Sequence, residues 1–147
     1  MSINKMNGLE VMQGIVQGDI PHPTMAETIP MNVLSANEGS VIFEVIADSR
    51  HTNPLGGVHG GFAATVLDSV TGSAVHTMLA AGQGYGTIEL NVKMLKPVPK
   101  DTVLKAEGSV ISMSKSLGVS EGRLTDDDGK LLAYASATCM LMSPKDL

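Results

Sequence analysis

Gly60-Gly-Phe-Ala-Ala-Thr-Val-Leu-Asp68-Ser-Val-Thr-Gly72-Ser-Ala-Val-His76-Thr-Met-Leu79 is the segment on which the fold turns. Gly61, Ala63, Ala64, Val66, Leu67, Val70, Gly72, Ala74 and Val75 make it small or aliphatic nearly all round, and a helix apolar on most faces is a buried one. At 1.5 Å per residue it runs about 30 Å. Something wide and curved has to cover it.

The flanking sequence supplies that cover. Downstream the hydrophobic period changes to two: Gly86 to Leu95, Thr102 to Met113, Gly118 to Thr125 and Lys130 to Met142 read as strands. They are joined at Pro97-Val-Pro, Ser112-Met-Ser-Lys-Ser and Asp126-Asp-Asp-Gly. Upstream, Met31 to Asn37 and Ser40 to Ala47 read as two more strands around the turn Ala36-Asn-Glu-Gly39. Leu9, Met12, Ile15 and Val16 mark a short amphipathic helix that Gly18 can stop, and Pro21 and Pro23 force an extended connector after it. The expected fold is α+β: one long central helix wrapped by a curved antiparallel sheet of about six strands. Residues 1–147 are expected to form a single domain, with helix and connector over 1–30 and the core over 31–147.

Composition narrows the partners. A net charge of −5 carries no electrostatic footprint for nucleic acid. With no Trp, two Phe and two Tyr against ten Met, the core is aliphatic and Met-rich, which suits irregular apolar cavities. The one cysteine, Cys139, lies in an apolar run, reads as a small buried hydrophobe, and excludes an intramolecular disulfide. The start of the chain lacks a basic, then apolar, leader, and no apolar run is long enough to span a bilayer, so a cytoplasmic protein without membrane contact is expected. No Cys pair or His-Glu-x-x-His spacing suggests a metal, and nothing calls for a cofactor.

Asp68 is the anomaly in the helix. Buried, it would need a partner or a shifted pKa; alternatively it points out into water. Asn53, Gly56, Gly57, His59, Gly60 and Gly61 lie at the helix's opening, where unpaired N–H groups and the positive end of the macrodipole make a site for an anion or a polarised carbonyl oxygen. Gly60 and Asp68 are eight residues apart, about 12 Å along the axis. One carbonyl cannot reach both on one helix. If both act on it, the carboxylate comes from a second subunit, with the two helices antiparallel across a two-fold axis.

Asn53-Pro-Leu-Gly-Gly-Val-His59-Gly60-Gly-Phe-Ala-Ala-Thr-Val-Leu-Asp68 resembles the signature of hotdog-fold thioesterases of the phenylacetate-pathway type, and the element order resembles theirs over nearly the whole chain. Gly86-Thr-Ile-Glu-Leu-Asn-Val-Lys-Met-Leu-Lys-Pro97 is similar to the family's strand after the helix, and Lys130-Leu-Leu-Ala-Tyr-Ala-Ser-Ala-Thr138 to its last strand. The resemblance implies hydrolysis of an acyl- or aryl-CoA thioester. It implies that the Gly60 N–H polarises the carbonyl, that His59 and Asn53 shape the loop, and that Asp68 of a partner subunit serves as nucleophile or general base. Thr87 stands where relatives often carry a hydroxyl that orients water. Coenzyme A, part of the substrate, is expected to meet Gly61, Lys115 with Ser114 and Ser116, and Lys96 or Lys100. A dimer or dimer of dimers with interfacial sites is expected.

Two other readings use the same fold. A non-catalytic acyl-CoA binder would have no need of Asp68 facing a helix N-terminus and would usually carry an output segment. A dehydratase or hydratase would use a His with an acidic partner and a Phe-Pro-rich approach to the helix, which this chain lacks. His76, on roughly the Asp68 face, reads as a helical histidine, and His22, between two prolines, as part of a segment that lines the acyl pocket in this family.

Overall fold

A computed structural model describes residues 2–144. After a 3-10 turn at Ile3–Lys5 come helix α1 (Gly8–Gln17), helix α2 (Met25–Thr28), strands β1 (Met31–Asn37) and β2 (Ser40–Val45), a second 3-10 turn (Ser49–His51) and helix α3 (Gly60–His76). Strands β3 (Gly84–Met94), β4 (Leu104–Met113), β5 (Leu117–Thr125) and β6 (Leu131–Met142) follow. The six strands form one sheet in the order β1-β2-β4-β5-β6-β3, antiparallel at every pairing. The sheet curls round α3, which packs against β2, β3, β4, β5 and β6. Among the described residues no helix is long and apolar enough to cross a membrane.

The helix is buried as its composition demands. Phe62, Ala63, Val66, Leu67, Val70, Ala74 and Val75 are all within 2% of full burial. Each buried Val, Leu or Phe contributes about 1.5–3 kcal/mol over leaving it in water. The sheet comes this close because of two glycines that pair across β4 and β5, Gly108 and Gly122. A Cβ on Gly108 would stand 2.0 Å from the Val70 carbonyl oxygen, and one on Gly122 would press on Leu67, Val70 and Thr71 at 3.1–3.2 Å. The helix backbone rests on this bare spot. Next to it, the Ser120 hydroxyl donates to the Thr71 carbonyl at 3.0 Å.

Helix α1 begins with a capping box: the Glu10 N–H donates to Asn7 Oδ1 at 2.8 Å, and the Asn7 N–H to Glu10 Oε2 at 2.9 Å. Gly18 ends it in the left-handed conformation, φ 84°. Its buried Val11, Met12 and Ile15 pack toward β1, while the Gly8 N–H donates to Leu79 just beyond α3. The connector is less extended than its prolines suggest, since α2 forms directly after Pro23, where the Ala26 N–H finds the Pro23 carbonyl. Boundaries differ elsewhere by one to three residues. The long helix stops at His76 rather than Leu79, because the Met78 and Leu79 N–H groups turn to the carbonyls of Val75 and His76, three residues back instead of four. Strand β2 ends at Val45, and β4 starts at Leu104 once Asp101 has made a turn with φ 59°.

Candidate active site

The loop before α3 is built around Asn53. Its side-chain oxygen accepts the N–H groups of Leu55 at 3.0 Å and Gly57 at 3.2 Å, and its own N–H donates to Gly57 at 2.7 Å. Gly56, at φ 88°, supplies the left-handed residue this tight loop needs. Asn53 therefore holds the loop through backbone groups.

His59 is the N-cap of α3. It is exposed, and its Nδ1 accepts the Gly61 N–H at 2.8 Å, which in the neutral ring leaves the proton on Nε2. The Phe62 N–H donates to the His59 carbonyl, and the His59 N–H donates to the His51 carbonyl at 2.7 Å. The Gly60 N–H is left with no acceptor among the described residues. It stands at the positive end of the helix, and Gly60 lines a cleft of about 330 Å³ with Val58, His59, Met94, Lys96 and Pro97 among others. The Met94 sulfur would lie 2.8 Å from a Cβ on residue 60, so only glycine leaves this face open beneath Met94.

Asp68 points out of the helix. It is exposed on the chain, so the outward-pointing alternative is the correct one. It lies on a stripe with Thr65, Ser69, Ser73 and His76 that lines a larger cavity, about 530 Å³, with Thr87 and Tyr85 of β3 on one side. Val11, Met12 and Ile15 of α1 and residues of the connector, His22 included, line the rest. Asp68 and Thr87 thus share one cavity, whereas Gly60 and Lys96 share the other; neither cavity holds both Gly60 and Asp68. The Thr87 hydroxyl lies 3.8 Å from the Cys139 sulfur, its partner across β3 and β6, and burial pushes that thiol up.

The remaining residues fall elsewhere. Gly61 and His59 also line a second cleft of about 330 Å³ with Arg50, His51 and Phe62. Ser114, Lys115 and Ser116 form the β4–β5 turn, closed by Ser114–Leu117 hydrogen bonds, and this turn leads into Gly118, which abuts Val75 near the far end of α3 from Gly60. Lys115 and Lys100 line neither of the two main cavities. Among the described residues one trio of carboxylates is close enough for a shared cation, Asp126, Asp127 and Asp128, in the β5–β6 turn far along the chain from Asp68.

Residues outside the signature support the loop. Buried His51 donates from Nε2 to the Thr28 carbonyl at 2.7 Å and accepts the Asp48 N–H on Nδ1 at 2.9 Å, tying α2 to the loop that presents Gly60. Arg50 grips Asp48 through Nε and Nη2 at 2.9 and 2.7 Å, and its hydrogen bonds hold the Asp48 carboxyl well below the usual carboxylate range. Nothing in the spacing of Asp48, Arg50 and His51 announces these links, since the partners on α2 lie over twenty residues upstream.

The Thioesterase superfamily profile matches residues 55–133, over half the chain. Human acyl-coenzyme A thioesterase 13 is 28% identical over 109 residues, covering 74% of this chain and 77% of that protein. A phenylacetic acid degradation-related protein of Ralstonia eutropha is 30% identical, with a TM-score of 0.81 over 88% of this chain and 98% of that one. The PaaI protein of the E. coli phenylacetic acid degradation operon shares the fold at a TM-score of 0.79 and 16% identity, over 90% and 94% of the two chains. With the helix, the wrapping sheet and the Gly60 loop in place, the chain belongs to the thioesterase superfamily and is a thioester hydrolase of hotdog fold.

Proposed function

We propose that this thioester hydrolase cleaves acyl-CoA to the free acid and coenzyme A at sites built from two subunits. The observation that carries the reading is the unpaired Gly60 N–H at the start of α3, with an outward-facing Asp68 on the same helix but in a separate cavity. A two-fold axis that sets two α3 helices antiparallel brings Asp68 of one chain to Gly60 of the other. The free edge of β3 suits such pairing: it is one of the two edge strands, eleven residues long, and exposes Ile88 and Met94. The human relative's name supports CoA as the thiol carrier.

In this reading the Gly60 N–H and the helix dipole stabilise the oxyanion as the carbonyl carbon turns tetrahedral. Asp68 acts as general base: it takes a proton from water while the water oxygen bonds to carbon. The oxyanion then collapses, the carbon–sulfur bond breaks and the proton passes from Asp68 to the leaving sulfur, releasing coenzyme A and the acid. Thr87, sharing the Asp68 cavity, orients that water. Lys96 lies in the Gly60 cleft and Lys115 with Ser114 and Ser116 at the other end of α3, and these are the groups offered to the CoA phosphates. Carboxylate, N–H and water suffice without metal or prosthetic group. A dimer of dimers and a cytoplasmic location, compatible with the unpaired Cys139, belong to the same reading.

Release of free thiol from a panel of acyl-CoA substrates, followed with dithiobisnitrobenzoate, tests it. Asp68→Asn should lose most of the hydrolysis while keeping its circular dichroism spectrum. Undiminished turnover in Asp68→Ala would overturn the mechanism.

A further inference from the structure

We propose that Tyr85 and His76 form a subsite for a hydroxyl carried on an aliphatic acyl chain, away from the thioester carbonyl. The proposal rests on the thioesterase reading above and adds a substrate class to it.

The Tyr85 phenol and the His76 imidazole stand in the Asp68 cavity without a hydrogen bond among the described residues, as do the shorter side chains of Thr65, Asp68, Ser69 and Ser73, and they are the two that also pack on each other. Their rings contact each other, with centroids 5.3 Å apart and planes tilted by 41°. Tyr85 also lies on Gly72, where a Cβ would meet the ring at 3.0 Å and the phenol oxygen at 3.5 Å. Glycine at 72 thus lets the phenol lie against the helix. Gly72 and His76 are one and two turns beyond Asp68, so these polar groups sit about 6 and 12 Å along the axis from the carboxylate. The opposite wall is aliphatic and flexible, with Val11, Met12, Ile15 and Ile20 from α1 and its connector. A cavity of about 530 Å³ is in the range that takes a small organic ligand.

The chemistry of the pair selects a neutral hydroxyl. Burial pushes the Tyr85 phenol up to about 12 and the His76 imidazolium below its ordinary 6.5, so both are neutral at pH 7 and offer donors and acceptors without charge. A carboxylate would find no cation here and would lie near Asp68. A plain alkyl chain would fill the cavity but leave the two polar groups dry and unpaired, which disfavours it.

The test compares decanoyl-CoA with its ω-hydroxy counterpart on the wild type, on Tyr85→Phe and on His76→Leu. The wild type should show the higher kcat/KM on the hydroxylated chain, and each variant should lower the ratio of the two kcat/KM values about five- to tenfold, the worth of one neutral hydrogen bond. Two variants are used so that a folding defect in one, read from circular dichroism, leaves the other to decide. Hydrolysis of both chains with the same ratio in wild type and variants would overturn the subsite and leave the thioesterase reading intact. Hydrolysis of neither chain by a wild type active on other acyl-CoA thioesters would also overturn the subsite, whereas no hydrolysis of any acyl-CoA would overturn the activity on which it rests.

Discussion

Gly60 and Asp68 stand eight residues apart on one helix yet open into different cavities, Gly60 beneath Met94 and Asp68 beside Thr87. In the proposed two-subunit reading each is half of a site. The consequences can be measured one residue at a time.

Gly60→Pro removes the N–H and sets a Cβ against the end of Met94. Residue 60 is the first of the helix, where proline is tolerated, and His59 before it already has φ −63° and ψ 139°, the extended conformation that a following proline requires. Its Cβ would push on the sulfur and methyl at the end of Met94, and Gly60→Ala, which adds that Cβ but keeps the N–H, is the control. The variant is expected to fold with an unchanged far-UV spectrum and lose about 10²–10³-fold in kcat, the effect of deleting one oxyanion donor.

Gly108→Ala tests the seat of the helix. Its Cβ would stand 2.0 Å from the backbone carbonyl of Val70, which cannot swing aside as a side chain can. A loss of about 3 kcal/mol is expected, seen as a lower urea midpoint. Ala at Gly129, a turn residue at φ 80° with open space around it, should cost only about 1 kcal/mol.

Burial of His76 gives stability a pH dependence of known sign. The folded ring is held below its ordinary value of 6.5, so the unfolded chain takes up the proton first, and stability present above pH 6.5 is lost as pH falls through that value and below. Urea unfolding at pH 7.5 and 5.5 should show a drop in the wild type that is smaller in His76→Leu. An equal drop in both would place its origin in other groups.

Much of this molecule could be read in advance, and the misses have physical causes. The apolar run after Gly60 implied a wrapped helix, and period-two alternation located the strands, because both signals are local. The Gly108–Gly122 seat was not legible: it exists only once β4 and β5 pair in one register, which neither strand's own sequence states. The exposure of Asp68 had a visible signal, since Thr65, Asp68, Ser69, Gly72, Ser73 and His76 follow helical spacing as a stripe of small or polar residues, but the greasiness of the other faces hid it. His51 carries no local signal, because its partners, Thr28 and the His59 backbone, come together only when α2 folds against the loop.

The most direct measurement of the central claim mixes two disabled chains. Asp68→Ala keeps a sound Gly60, and Gly60→Pro keeps a sound Asp68. If each site takes one residue from each subunit, exchange of the two inactive proteins creates mixed dimers with one intact site, and a fully exchanged equimolar sample should regain about a quarter of wild-type activity. Subunit exchange, verified by mass spectrometry of differently tagged chains, with no recovered hydrolysis would contradict the two-subunit site.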